Sequence, residues 1–184
     1  MKKIIISVLL LLVVVVAHGQ GKFYTKSGKI SFYSSAPLED IEAHNKTATS
    51  VIDTETGRME FAVLMKAFQF RKALMEQHFN ERFVESHKYP KATFTGNITN
   101  TSDVDFTKDG TYQVNVKGNL TIHGVTKAIE APGTITVKNG VISGTSSFMV
   151  APEDYDIVIP AVVRNNIAKQ VKVTIDMVYE PLRS

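Results

Sequence analysis

Val171-Lys172-Val173-Thr174-Ile175-Asp176-Met177-Val178-Tyr179-Glu180 places apolar side chains at 171, 173, 175, 177 and 179 and mostly polar ones between them. A period of two is the signature of a β-strand with one face in an apolar interior and the other in water. The same period runs through Tyr112, Val114 and Val116, with Gln113, Asn115 and Lys117 between them, and resumes at Leu120 and Ile122. Met59, Phe61, Val63 and Met65 repeat it once more.

Turn signals separate these runs. Asn139-Gly140 stands between Thr134–Lys138 and Val141–Val150, and suits a type I′ hairpin, whose two central residues need positive φ. Thr56-Gly57 and Asp109-Gly110 are similar breaks, and Ser27-Gly28 divides a short strand near Phe23–Thr25 from a second at Ile30–Ser34. One segment departs from the pattern. From Arg71 to Ser86, Met75, Phe79 and Phe83 recur every four residues with Leu74 and His78 alongside, while Glu76, Gln77, Asn80, Glu81 and Glu85 fall opposite. This predicts an amphipathic helix, ended by Lys88-Tyr89-Pro90 because a residue before proline is pushed towards extended geometry. A smaller helical turn is expected within Ala161–Ala168, before the last strand.

About eight strands joined mostly to their sequence neighbours predict an all-β, up-and-down antiparallel barrel with one helix inserted. A sandwich is the competing architecture. A transmembrane barrel would need its outward faces apolar, yet Lys117, Gln113, Lys172, Asp176 and Glu180 occupy the faces opposite the apolar ones.

The N-terminus predicts export. Lys2 and Lys3 precede an apolar run, Ile4–Ala17, broken by one serine and followed by Ala17-His18-Gly19. A basic head, an apolar middle and small residues at the end form a signal peptide, and the run is shorter than the ~20 residues a membrane span needs. Residues 1–19 are therefore read as a signal and 20–184 as one domain, with no integral membrane segment once the signal is removed. Losing Lys2 and Lys3 lowers the formal net charge from +3 to +1. No dense Lys/Arg run remains to form the basic face of a nucleic-acid binder. The absence of cysteine leaves stabilisation to the core and removes the acceptor for a lipoprotein anchor. The expected destination is the periplasm or the exterior.

Motifs for catalysis are missing: there is no G-x-S-x-G elbow and no H-E-x-x-H spacing. His78 and His87 lie near carboxylates, which keeps a metal-assisted hydrolase as a third-ranked alternative. The expectation is no catalytic residue, no metal and no cofactor. Asp103-Val104-Asp105 with Lys108-Asp109-Gly110 has a lysine where a calcium loop needs glycine, and reads as an ordinary turn. Phenylalanines and methionines are spread over many segments. They fill a small barrel, and they equally suit a cavity that adapts to a chain-like ligand.

Gly118-Asn119-Leu120-Thr121-Ile122-His123-Gly124-Val125-Thr126-Lys127 resembles the most recognisable segment of the YceI-like family, exported lipocalin-like proteins that bind polyisoprenoids. Lys88-Tyr89-Pro90-Lys91-Ala92-Thr93-Phe94 is a second match, and Asp154-Tyr155-Asp156-Ile157 a weaker third. The first strand lacks the family's Tyr-x-Ile-Asp opening and His-Ser pair, and Ala151-Pro152-Glu153 stand where an arginine is usual. The resemblance implies an eight-stranded barrel around an apolar tunnel, an isoprenoid ligand such as a quinone or polyprenyl phosphate, and no established catalysis. Burial of ~10 methylene groups at ~0.8 kcal/mol each gives about 8 kcal/mol gross, roughly micromolar binding before ordering costs.

The expected lining comes from the inward faces. On the strands these are Phe61, Val63, Phe94 and Val114, then Leu120, Ile122 and Phe148, with Val173 and Ile175 near the C-terminus. Leu74, Met75, Phe79 and Phe83 of the helix would cover or enter the tunnel. His123 and His78 are candidates for contact with a head group; for His123 the other reading is a ring that bonds a neighbouring loop and fixes its turn. A solid barrel used for protein contact is the second functional hypothesis, in which Phe94 and Leu120 would pack directly across the centre.

Overall fold

The computed structural model describes residues 21–182; the expected signal segment lies outside them. Nine strands follow in order: β1 (Lys22–Ser35), β2 (Asp40–Asp53), β3 (Arg58–Leu64), β4 (Gln69–Phe70), β5 (Lys91–Ile98), β6 (Gly110–Ile122), β7 (Val125–Lys138), β8 (Val141–Val150) and β9 (Val171–Pro181). The sheet runs β1-β9-β8-β7-β6-β5-β3-β2, and β2 pairs back with β1. Eight long antiparallel strands therefore close into an up-and-down barrel, and closure leaves none of them an open edge. The two-residue β4 is an appendage on β2, pairing Phe70 with Ala43 and Gln69 with His44.

The alternation in β9 sets the wall. Val173 stands opposite Phe32 on one side and Phe148 on the other, so one inward layer is built from three strands. Two hairpins have both central residues at positive φ, as type I′ requires: Asn139 (51°) with Gly140 (76°), and His123 (51°) with Gly124 (78°). The break expected at Ser27-Gly28 is instead a bulge inside one continuous strand, with register shifts between Thr25 and Gly28 and between Gly28 and Ile30. A Cβ on Gly28 would collide with the Met177 sulfur. Glycine here serves a close approach from β9 rather than a turn.

The single helix expected over Arg71–Ser86 is shorter. Helix α1 covers Ala73–His78 and passes into a wider π turn at Phe79–Phe83, where the Val84 N–H donates to Phe79 O at 2.9 Å. The chain then turns on Glu85, whose carbonyl accepts from both Lys88 N and Tyr89 N. The turn expected before the last strand is a 3-10 turn at Ala161–Val163. In the loop compared above with a calcium site, Asp105 accepts from its own neighbour Thr107 through both N and Oγ1.

The two ends of the barrel differ. At the end carrying the β2–β3 and β7–β8 turns, Ile52, Val137, Ile142, Met177 and Tyr179 are almost wholly buried. The β5–β6 connection adds buried Val104 and half-buried Phe106 to this plug. At the other end lie the β1–β2 turn, α1 and the long β8–β9 connection. There the inward residues Phe32, Phe94, Phe148, Val171 and Val173 are only half-buried, although neighbouring strands flank each of them. Along β9 the inward side chains pass from half-buried at 171, 173 and 175 to buried at 177 and 179.

Candidate functional site: a blind apolar bore

That gradient traces a cavity of about 410 Å³ inside the barrel, within the ~300–1,000 Å³ usual for a small-ligand pocket. From Val171 to Met177 its wall runs roughly 20 Å along the strand, or about 15 Å along the axis at a tilt of ~40°. Met177 and Tyr179 belong to its floor. The Tyr179 hydroxyl bonds Ser50 Oγ at 3.0 Å, and burial pushes its ionisation up to about 12.

Of the residues expected to line the bore, Phe61, Val63, Met75, Phe79, Phe83 and Phe94 do so. Val114, Leu120, Ile122, Phe148, Val173 and Ile175 do as well. Leu74 does not: it is 60 % exposed on the outer side of α1. The reason lies in the helix, which is too short to carry a broad apolar face, so that Met75 turns inward and its neighbour outward. Phe94 and Leu120 do not meet across the centre, as a solid barrel requires. They are register partners on adjacent strands, β5 and β6, and both border the open volume.

The upper wall is aromatic. Phe79 stands 5.5 Å from Phe32, 5.8 Å from Phe68 and 5.1 Å from Phe70 between ring centroids, distances at which rings attract. This cluster fastens the helix to β1 and β4. Lower down, Phe61 and Phe94 meet edge to face at 5.9 Å. The sequence reading missed Phe32 and Phe70, and missed Ile157, Ile159, Val163 and Ile167 of the β8–β9 connection, all of which face the cavity. Ile157-Val158-Ile159 is an unbroken apolar run with no period, so the sequence did not say which of its side chains turn inward.

Polar side chains enter at the helix end. Ser34, Glu39, His78 and Asn166 contribute to the lining there. Lys72 Nζ donates to Glu39 Oε1 at 2.7 Å, and this bond is the main reason the Glu39 carboxyl is held below its ordinary range. Ser34 Oγ accepts from Ala168 N at 2.8 Å, and Leu38 N donates to Asn165 O at 3.1 Å. The β1–β2 turn thus joins the start of α1 to the β8–β9 connection.

His123 stands at the same end of the barrel, in the β6–β7 hairpin, but faces away from the bore. It does not border the cavity, and its ring is committed to the protein: Nδ1 donates to Tyr155 O at 3.1 Å and Nε2 bonds Glu85 Oε2 at 2.9 Å. Tyr89 packs on it edge-on, with centroids 4.5 Å apart. The head-group role expected for His123 is therefore replaced by the turn-fixing one. His78 does border the cavity, whereas His87 is exposed. Among the described residues no three His, Cys, Asp or Glu side chains are grouped to hold a metal ion.

A closed antiparallel barrel with a blind apolar bore and polar groups at one rim defines a lipocalin-like barrel. The YceI-like domain family matches residues 12–179, and the chain belongs to that family. Among solved structures it is similar to a polyisoprenoid binding domain from Saccharophagus degradans implicated in plant cell wall breakdown, at a TM-score of 0.77 and 16 % identity over 89 % of this chain and 99 % of that one. BcnA of Burkholderia cenocepacia aligns at 0.67 and 17 % identity over 83 % and 96 %. The Campylobacter jejuni YceI protein aligns at 0.59 and 16 % over 77 % and 85 %. No curated protein sequence matches the chain.

Proposed function

We propose that this chain, exported to the periplasm, binds the tail of an apolar isoprenoid lipid of quinone or polyprenyl type in its bore. It carries or sequesters that lipid, with no cofactor and no reaction upon it. The observation that carries this reading is the cavity: a blind volume of about 410 Å³ walled by aromatic and aliphatic side chains, with polar groups gathered at one rim. Burying hydrocarbon there releases about 25 cal/mol per Å² of apolar surface, and a floor without unpaired charge favours a tail over a polar guest. The polyisoprenoid binding domain with the same fold supports the choice of lipid class.

Extraction of the purified protein with organic solvent, followed by mass spectrometry, tests the proposal, together with calorimetric titration by a short-chain isoprenoid quinone. A co-purified isoprenoid or saturable quinone binding at micromolar level is expected. Repeated extracts free of lipid, together with no heat of binding, would overturn it.

A further inference from the structure

Among the large apolar side chains of the described residues, four are the most solvent-exposed: Val162 at 88 %, Val158 at 78 %, Leu38 at 71 % and Leu74 at 60 %. They are not scattered. All four stand in three of the four connections at the open end of the barrel, namely the β1–β2 turn, the segment containing α1 and the β8–β9 connection, the fourth being the β6–β7 hairpin. Each is also chain-adjacent to a residue that faces the cavity: Val162 to Val163, Val158 to Ile157 and Ile159, Leu38 to Glu39, and Leu74 to Met75. The rim is therefore one chain thick: the segments that show these aliphatics outward also line the mouth of the bore, with Ser34, Glu39, His78 and Asn166 as its polar members. The three connections are tied into a single surface by the Leu38 N to Asn165 O bond and by Glu39, which holds Lys72 and Asn166.

Exposed basic side chains stand beside Leu74 and Val162. Residues 157–170 contain Arg164 and Lys169 and no acid, and Arg71 and Lys72 precede Leu74; all four cations are exposed. Of the acids on these connections, Glu39 pairs with Lys72, Glu76 accepts the Phe70 N–H and Glu81 accepts from the Gln77 amide, while Glu153, Asp154 and Asp156 stand together where the β8–β9 connection begins, before Ile157.

We propose that this rim docks on a phospholipid bilayer carrying anionic head groups, with Leu38, Leu74, Val158 and Val162 inserted among the acyl chains and Arg71, Arg164 and Lys169 against the phosphates. Exposed aliphatics flanked by cations are the pattern of an interfacial membrane contact, and each cation near an anionic surface adds attraction that salt screens. A bilayer suits the rim better than a protein partner because the segments that carry these aliphatics also supply Met75, Ile157, Ile159 and Val163 to the bore. A lipid tail moving between membrane and cavity would not cross water. The reading rests on the bore taking a lipid, but the contact is measurable without any guest.

The test is co-sedimentation of the purified protein with vesicles of phosphatidylcholine alone or mixed with phosphatidylglycerol, compared with the variant Leu74→Ser/Val158→Ser/Val162→Ser. None of these three side chains borders the cavity, so quinone titration in detergent-free buffer serves as the control for folding and for the bore. The expected result is binding to the anionic vesicles that falls with added salt. The triple variant should partition at least roughly ten-fold more weakly, since one fully buried aliphatic side chain is worth about that factor, with quinone affinity unchanged. A second pair of changes, Arg164→Gln with Lys169→Gln, should flatten the salt dependence. Equal partitioning of wild type and triple variant, or no binding to either vesicle, would overturn the proposal. So would concentration-dependent self-association that the triple variant abolishes while vesicle binding is absent, since the rim would then meet a second copy. Intact vesicle binding with no quinone binding would leave the docking surface standing and remove the lipid-carrier reading.

Discussion

The ring of Phe94 on β5 lies over Gly118 on β6, so that a Cβ added to Gly118 would stand 2.6 Å from Phe94 Cζ. Gly96 is the register partner of Gly118, and it leaves the ring the same clearance from its own strand. The paired glycines form a recess in the wall that holds the phenyl ring flat against the sheet.

Gly118→Ala should therefore be costly. The new methyl would stand 2.5 Å from Gly96 Cα as well as against the ring, and backbone cannot move aside as a side-chain tip can. The expected loss is about 1–3 kcal/mol of stability by overpacking, measured by denaturant unfolding. A stability equal to wild type would show that the recess is roomier than described.

Truncations should separate plug from bore. Ile142 is 1 % exposed, and Ile142→Ala should cost about 2–5 kcal/mol through the cavity it leaves. Val173 already faces open volume, so Val173→Ala should cost only ~1 kcal/mol while weakening quinone binding. Equal stability losses at the two sites would argue that the inward layer at Val173 is as tightly packed as the plug.

Glu85 supplies an acid-sensitive contact. Its carboxyl is held below the ordinary value of 4.5, first by the hydrogen bond from His123. A depressed carboxyl contributes stability that is present above its unfolded value and disappears as pH falls through the folded one. Wild type should thus melt above Glu85→Gln at neutral pH, and the two curves of Tm against pH should converge below about pH 4, under the ordinary glutamate value. A gap that persists into that acid range would mean the contact does not depend on the carboxylate charge.

At the alkaline limit the relevant group is Tyr179, whose ionisation burial raises to about 12. A raised value stabilises the fold below the unfolded pKa, near 10, and that stability is lost as pH climbs towards 12. Of the six tyrosines, Tyr179 should be the last to show phenolate absorbance, coincident with loss of the far-ultraviolet strand signal. Tyr179→Phe should remove that late step.

The alternation at 171–179 was enough to place β9, because a period of two survives whatever the neighbouring strands are. It was not enough to tell Val173 from Met177. Both point inward, and only the packing of the two barrel ends decides that one faces a void and the other a plug. β2 carries no comparable signal: its buried positions include Ala43, Asn45, Ala48 and Ser50, small or polar residues set among polar neighbours. Asn45 is tolerable inside because its amide donates to Leu64 O and its carbonyl accepts from Thr47. The misplacement of Leu74 came from treating α1 and the π turn as one long helix, in which it shared a stripe with Met75. The most recognisable segment, Gly118–Lys127, forms the β6–β7 hairpin. Its glycine clears Phe94 and its histidine ties Glu85 to Tyr155, so much of what makes it recognisable is architecture rather than ligand contact.

The plug of Ile52, Val137, Ile142, Met177 and Tyr179 makes the barrel a cul-de-sac. An amphiphile enters such a vessel foot first and leaves head first. Under the lipid-binding reading its functional group would stay at the doorway throughout, open to a second molecule while the hydrocarbon is still housed.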